Sequence, residues 1–369
     1  DLTSTADITA AAVLKENTGV CFMGASPKGS FDIDEAKARL MLAATGNPNS
    51  RPNSDGVRPV ASGVDLAGPG RGKWTVDFGL MPMEEAAQYE APFEHVRQSV
   101  YPVRSSNRRA SYAAKWWQYA EARPKMRLAL RGKPRFVATP EVSKHRLFVW
   151  VSPHVLCNQQ VLIFAREDDY FFGVLHARLH EVWALAQGTQ LREKESGFRY
   201  TPMTCFETFP FPWAPGQEPA DDPRVLAIAG AAKELNELRE NWLNPPEWTR
   251  TEVLEFPGTV GGPWSRYIDA ATVHEVNVPG GGTISVGTVK YPRTVPRDEA
   301  AAKLLAKRTL TNLYNQRPAW LDNIHRRLDA AVFAAYGWDS GMTDEKILES
   351  LLALNLERAG CQAPKTPTP

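Results

Sequence analysis

Residues 170–213, YFFGVLHARLHEVWALAQGTQLREKESGFRYTPMTCFETFPFPW, constrain what this chain can fold into more than any other stretch. Val174, Leu175, Leu179, Val182, Trp183 and Ala186 recur at helical spacing, which predicts one helix with an apolar face turned to a core. Gly188 stands where such a helix stops. The segment 192–200 then offers Arg192, Glu193, Lys194, Glu195, Arg199 and Tyr200, donors and acceptors suited to a polar, patterned partner. Two prolines stiffen Phe209-Pro210-Phe211-Pro212-Trp213, so that exit reads as a rigid apolar plug.

A chain of 369 residues exceeds one ordinary domain, and two or three units are expected. With 43% hydrophobic and 23% charged residues it can bury a large core as a soluble protein. No apolar run has the length to cross a membrane. The opening residues are polar, with acid before base, unlike a secretory signal. Cys21, Cys157, Cys205 and Cys361 are scattered with no CxxC pair, which fits a reducing cytoplasm and neither a disulfide framework nor a metal cluster. The sequence starts at Asp1 without an initiator methionine, so a fragment or processed product is expected.

Net charge is +1, but residues 97–146 hold 13 Lys/Arg against Glu121 and Glu141, a local +11 that leaves −10 for the rest. Such an excess is the footprint of a phosphate-binding surface, with a solvated basic face as the plain alternative. Arg104, Arg108, Arg109, Lys115 and Arg146 are the expected phosphate-binding residues. Trp116 and Trp117 lie among them; the core is the ordinary place for both, and since adjacent residues cannot share a face, one core residue and one stacking platform is the alternative.

Taken in order, residues 1–45 read as a connector with a helix starting near Asp32, and 46–72 as loop rich in Gly, Pro, Asn and Ser. Strands are expected at 74–78, 136–139, 147–151 and 161–164. Helices are expected at 83–101, interrupted near Pro92, and at 126–130. An acidic linker at 215–223 leads to a helix over 223–242 with Val225, Ile228, Leu235, Leu238 and Trp242 as its stripe. Residues 245–296 read as irregular, with a turn at Gly280–Gly282 and a hairpin around 284–289. Helices follow at 298–314, 320–336 and 343–358, then a disordered tail. The units implied are 1–45, a recognition domain at 46–214, a linker helix and insertion at 215–297, a helical region at 298–360, and a tail at 361–369. The fold class is mixed α/β with a helical C-terminal region.

Four patterns bear on chemistry. Asn244-Pro245-Pro246-Glu247 has the first three residues of an Asn-Pro-Pro-aromatic tetrad, but Glu247 replaces the ring and a helix, not a strand, precedes it; it reads as a helix stop. Gly68-Pro69-Gly70-Arg71-Gly72 lacks the strand before and helix after that a cofactor loop needs. His176, His180 and Glu181 share one helix face, as some zinc sites require, but no third ligand is evident, and packed histidines are the default. Ser143-Lys144-His145-Arg146 forms a cationic turn between strands, open to phosphates, base edges or solvent.

Five strings resemble the MmeI-like class I DNA methyltransferases of restriction-modification systems: LKENTGVCFMGASPKGSFDI, RFVATPEVSKHRLF, YFFGVLHARLHEVWA, FRYTPMTCFETFPFPW and LTNLYNQRPAWLDNIHRRLDAAVFAAYGW. They span nearly the whole chain in family order, less clearly over 247–295. The resemblance implies adenine methylation at a specific site on double-stranded DNA. It implies that an upstream domain, absent from this sequence, binds S-adenosylmethionine and carries the catalytic tetrad. It also implies that the part present here recognises the target. Family position points to Arg192, Lys194, Glu195 and Arg199 as base readers, and Lys144 joins them from its turn.

The function expected is therefore site-specific DNA recognition on behalf of an adenine methyltransferase, with no catalytic or metal-binding residue in this chain and no activity alone. A separate specificity subunit, or a metal-dependent hydrolase using His176 and His180, are the alternatives.

Overall fold

The computed structural model describes residues 7–68, 70, 72–190 and 197–362. Arg192, Lys194 and Glu195 lie outside the described residues. Strands in chain order are β1 (Cys21–Met23), β2 (Asp32–Ile33), β3 (Val57–Ala61), β4 (Trp74–Val76), β5 (Phe136–Pro140), β6 (Val142–Ser143), β7 (Val149–Val151), β8 (Leu156–Cys157), β9 (Val161–Phe164), β10 (Thr189–Gln190), β11 (Phe198–Arg199), β12 (Thr249–Thr259), β13 (His274–Asn277) and β14 (Thr283–Pro296). The α-helices are α1 (Glu35–Ala43), α2 (Gly63–Ala67), α3 (Met83–Ala86), α4 (Glu90–Ser99), α5 (Tyr101–Arg104), α6 (Ala110–Ala114), α7 (Pro124–Ala129), α8 (Asp169–His176), α9 (Arg178–Gln187), α10 (Pro223–Leu243), α11 (Glu299–Leu305), α12 (Leu310–Gln316), α13 (Ala319–Tyr336) and α14 (Asp344–Gln362). The mixed α/β class with a helical C-terminal region holds.

The continuous apolar runs of β5 and β9 are buried on both faces and sit at the centre of a sheet ordered β1-β9-β5-β7. A second sheet is ordered β2-β4-β3-β8, with β3 and β8 parallel. Helices α8, α9, α10, α12, α13 and α14 pack with the first sheet into one core that contains Phe164, Phe171, Trp183, Phe209, Leu235, Leu313 and Leu328. This core runs through positions 214 and 297, so the C-terminal helices share their interior with residues 170–211. A second core joins Phe31, Trp74, Tyr89 and both Trp116 and Trp117 to Leu254, Phe256 and Trp264. Neither tryptophan is a stacking platform: both are buried, and Trp117 Nε1 donates to the Met81 carbonyl at 2.9 Å.

Three expectations need correction. The helix predicted through 174–186 is two helices, because Ala177 is extended (φ −74°, ψ 152°). Side chains satisfy the break: His180 Nδ1 donates to the Leu175 carbonyl at 2.9 Å, and Asp329 Oδ1 accepts from Arg178 N at 2.7 Å. The stop at Gly188 is as expected. The 298–314 helix is likewise split, with Thr309 accepting from Asn312 N to start α12.

Residues 245–296 are not largely irregular. β12 and β14 pair over 11 positions from Thr249↔Pro296 to Thr259↔Val286, and β13 joins β14 at its other edge. The Gly280–Gly282 turn is as expected, with all three glycines at positive φ. The interruption expected near Pro92 is present at residues 87–89, between α3 and α4, and Pro92 lies in the first turn of α4, where its missing N–H costs nothing.

Candidate nucleic-acid interface

The site is built around β11, the central strand of a small sheet ordered β10-β11-β6. Phe198 pairs with Gln190 and Ser143, and Arg199 with Thr189 and Val142. Strand alternation sends Phe198 into the core and Arg199 outward. Two glycines make the sheet possible. A Cβ on Gly188 would lie 2.7 Å from the Phe198 ring, and one on Gly197 (φ +85°) would lie 2.1 Å from the Ser143 carbonyl oxygen. β10 and β11 thus hold both ends of the segment 191–196, in which three of the sequence-expected base readers fall.

Beneath the sheet lies Arg146. It was expected on a phosphate, but it is buried. Its guanidinium sits 4.7 Å from the Phe198 ring centre and 5.1 Å from that of Tyr200. It donates to Thr139 Oγ1 at 3.0 Å, to the Pro140 carbonyl at 2.5 Å and to the Phe198 carbonyl at 3.2 Å. Burial pushes its pKa down to about 10, which still leaves a cation at neutral pH. Arg146 therefore clamps β11 to the end of β5, and its burial keeps it from a phosphate.

Tyr200 is fully buried behind Arg199. Because His180 Nδ1 faces a carbonyl, that nitrogen carries the proton, and Nε2 accepts from the Tyr200 hydroxyl at 2.9 Å. Burial holds His180 down at about 3, so the ring is neutral. His176 Nδ1 faces the Phe172 carbonyl at 3.0 Å, while Nε2 meets the Phe148 N–H and Arg239 Nη1. Both histidines are committed to protein partners. Among the described residues no group of three or more His, Cys, Asp and Glu could hold a metal ion.

Arg199 and Lys144 face outward on the rim of a cleft of about 760 Å³. Its walls are the Gly63–Ala67 helix, residues 141–144, and Thr309 and Thr311 from the C-terminal region. Arg199 Nε lies 3.4 Å from Glu141 Oε1, an ion pair half open to solvent. Lys144 Nζ donates to Asn315 Oδ1 at 2.8 Å, and His145 Nε2 meets the same oxygen at 2.9 Å. The structure thus brings together two of the expected base readers. The lining residues Thr309 and Thr311, and Asn315 further along the same helix, were not singled out from the sequence, where the two threonines carry only the signature of a helix start.

The remaining expected phosphate contacts divide. Arg104 is buried: Nη1 donates to the Gln118 carbonyl at 2.6 Å, and Nη2 to the Pro27 carbonyl, tying the end of α5 to both segments. It is a structural cation, not a phosphate ligand. Arg108, Arg109 and Lys115 are exposed. Arg109 lies over the Tyr112 ring, 5.4 Å from its centre, and donates to the Tyr112 hydroxyl at 2.9 Å. Much of the +11 excess is spent internally: Arg127 holds Asp77 through two bonds of 2.8 and 2.9 Å, and Arg135 pairs with Asp169 at 3.0 Å.

An S-adenosylmethionine loop does not fit here. Gly68 follows helix α2 and the chain enters strand β4 after Gly72, the reverse of the strand-loop-helix order that such a loop requires. Asn244 ends α10 and donates to Glu240, as a helix stop.

Residues 74–213, which contain the small sheet, Arg146 and Arg199, match the family model of the MmeI target recognition domain. That portion of the chain is similar to the MmeI target recognition domain. A solved structure of the type IIL restriction-modification enzyme MmeI in complex with DNA matches the whole fold with a TM-score of 0.60 and 15% identity, covering 92% of this chain and 36% of that one. The present chain therefore spans little more than a third of that relative. Comparison with curated proteins finds no match.

Proposed function

We propose that this chain reads a specific sequence in double-stranded DNA for a site-specific adenine methyltransferase of a restriction-modification or phage-defence system. The observation that carries the reading is the placement of Arg199 and Lys144 together on an open cleft, beside a segment anchored at both ends, inside the region that matches the recognition-domain family. Arginine offers two parallel donors to guanine O6 and N7, and lysine a single mobile cation. Arg108, Arg109 and Lys115, exposed and close in sequence, would anchor phosphates. Arg192, Lys194 and Glu195 would join Arg199 and Lys144 in reading bases. S-adenosylmethionine and the methyl transfer belong, in this reading, to an upstream domain that takes a flipped adenine. The protein would act in the cytoplasm; no described helix is long and apolar enough to cross a membrane.

The test is selection from randomised duplexes with the full chain, followed by affinity measurement across salt. A short enriched sequence, bound with an affinity that falls steeply with salt, is expected. Failure to enrich any sequence would sink the reading. Methyl incorporation by the isolated chain would overturn the assignment of catalysis to another domain.

A further inference from the structure

Two side chains of the reading turn converge on one oxygen that belongs to a different region of the chain. Lys144 Nζ lies 2.8 Å and His145 Nε2 lies 2.9 Å from Asn315 Oδ1. An ammonium can only donate, so Oδ1 must accept. His145 must then carry its proton on Nε2, and both lone pairs of the oxygen are used.

Asn315 sits near the end of α12, a helix held in place by its other face. Leu310, Leu313 and Tyr314 are buried in the first core, and the Tyr314 hydroxyl bonds His325 Nε2 at 2.8 Å. The residue after Gln316, Arg317, takes a left-handed conformation (φ +41°) that ends the helix and binds Asp322 at 3.0 Å. Asn315 is therefore an exposed side chain on a rigid base. Lys144, by contrast, is an exposed side chain with four rotatable bonds on a turn. The same helix start supplies Thr309 and Thr311 to the cleft wall.

We propose that Asn315 is a positioning residue for sequence reading: it holds Lys144 at the cleft, so base preference is set jointly by the recognition domain and by helix α12. This rests on the reading of Lys144 as a base contact given above. The physical advantage is preorganisation. A lysine already confined by one bond loses less freedom when its two remaining N–H donors engage a base edge. Asn315 does not touch the base in this scheme; it acts through Lys144.

The test compares base preferences of the full chain by selection from randomised duplexes, for the wild type, Lys144→Ala, Asn315→Leu, Asn315→Asp and the Lys144→Ala/Asn315→Leu double variant. Leu removes the acceptor at similar volume; Asp keeps an oxygen at the same place. Lys144→Ala is expected to reduce discrimination at one base position by about fivefold or more. Asn315→Leu is expected to weaken the same position several-fold, Asn315→Asp to retain it, and the double variant to match Lys144→Ala alone. The slope of affinity against salt is expected to stay unchanged in Asn315→Leu. Asn315→Ala replaces Asn315→Leu if the latter fails to fold.

Wild-type preferences in Asn315→Leu would overturn the proposal while leaving Lys144 as a reader. So would a uniform loss on every sequence, or failure of Asn315→Asp to rescue. No change in Lys144→Ala would instead overturn the reading of Lys144 on which the proposal stands.

Discussion

The Tyr200 hydroxyl donates to Nε2 of His180 across 2.9 Å, and the other ring nitrogen is already committed to the Leu175 carbonyl left open by the break before α9. The outward side chain of Arg199 is thus aimed by its buried neighbour, through a neutral histidine, from the middle of the core. Tyr200→Phe would strand a buried acceptor. We expect it to cost roughly 1–3 kcal/mol of stability, read from urea unfolding midpoints. An unchanged midpoint would show that the bond does not hold the turn.

Arg146 and Arg104 separate structural cations from phosphate ligands. Arg146→Met keeps most of the apolar stem but deprives three oxygens of their donor. A loss of roughly 2–5 kcal/mol is expected, with no change in the salt slope of DNA binding by the folded protein. Arg108→Ala and Arg109→Ala should do the opposite: stability within about 0.5 kcal/mol of wild type, and a salt slope smaller by about 1 for each.

Arg199→Ala removes only a half-exposed ion pair with Glu141, so its effect on stability should stay below about 1 kcal/mol. Its effect on discrimination should be larger, about 1–3 kcal/mol at one base pair, measured as relative affinity for duplexes differing at that position. Equal weakening on every duplex would reassign Arg199 to the DNA backbone.

Burial pushes the Asp329 carboxyl up to about 6, against the Arg178 N–H bond that favours its ionised form. Its ordinary value in an unfolded chain is about 3.9. A raised acid stabilises the folded state fully below the unfolded value, and that contribution is lost as pH rises through about 6. Asp329→Asn keeps an acceptor for Arg178 and cannot ionise. It should be more stable than wild type by roughly 1–2 kcal/mol at pH 7.5, with the gain fading toward pH 4. His180 and His325, both held at about 3 by burial, act in the other sense: their contribution is present above their ordinary value near 6.5 and lost as pH falls. They are common to both proteins and cancel in the difference, which unfolding midpoints across pH would measure.

What was legible in the sequence was local. The apolar face from Val174 to Ala186, the stop at Gly188, strands β5 and β9, the plug of Phe209 and Phe211, and α13 each follow from periodicity or backbone chemistry within a few residues. What was not legible depends on distant partners. A charge count cannot tell an exposed arginine from one whose guanidinium meets the carbonyls of Pro27 and Gln118, as Arg104 does. The break at Ala177 is capped by Asp329, a residue of α13. The long ladder of β12 and β14 was hidden by Pro257, Pro292 and Pro296, which argue against strands; Pro292 and Pro296 lie where β14 pairs with β12 alone. Around the cleft, Arg199 and Lys144 stand out by residue type, whereas the contact of Asn315 with Lys144 depends on the packing of α12.

The glycines at 188 and 197 have one more consequence. They let two very short strands dock side by side, so Gln190 and Phe198 are fixed points in a single register. The buried clamp of Arg146 and Tyr200 lies outside the interval between those points. Residues between them can therefore be replaced, lengthened or shortened with their two anchor points kept in place. The arrangement is a socket: a change of residues within 191–196 leaves Arg146, Tyr200 and the two glycines untouched.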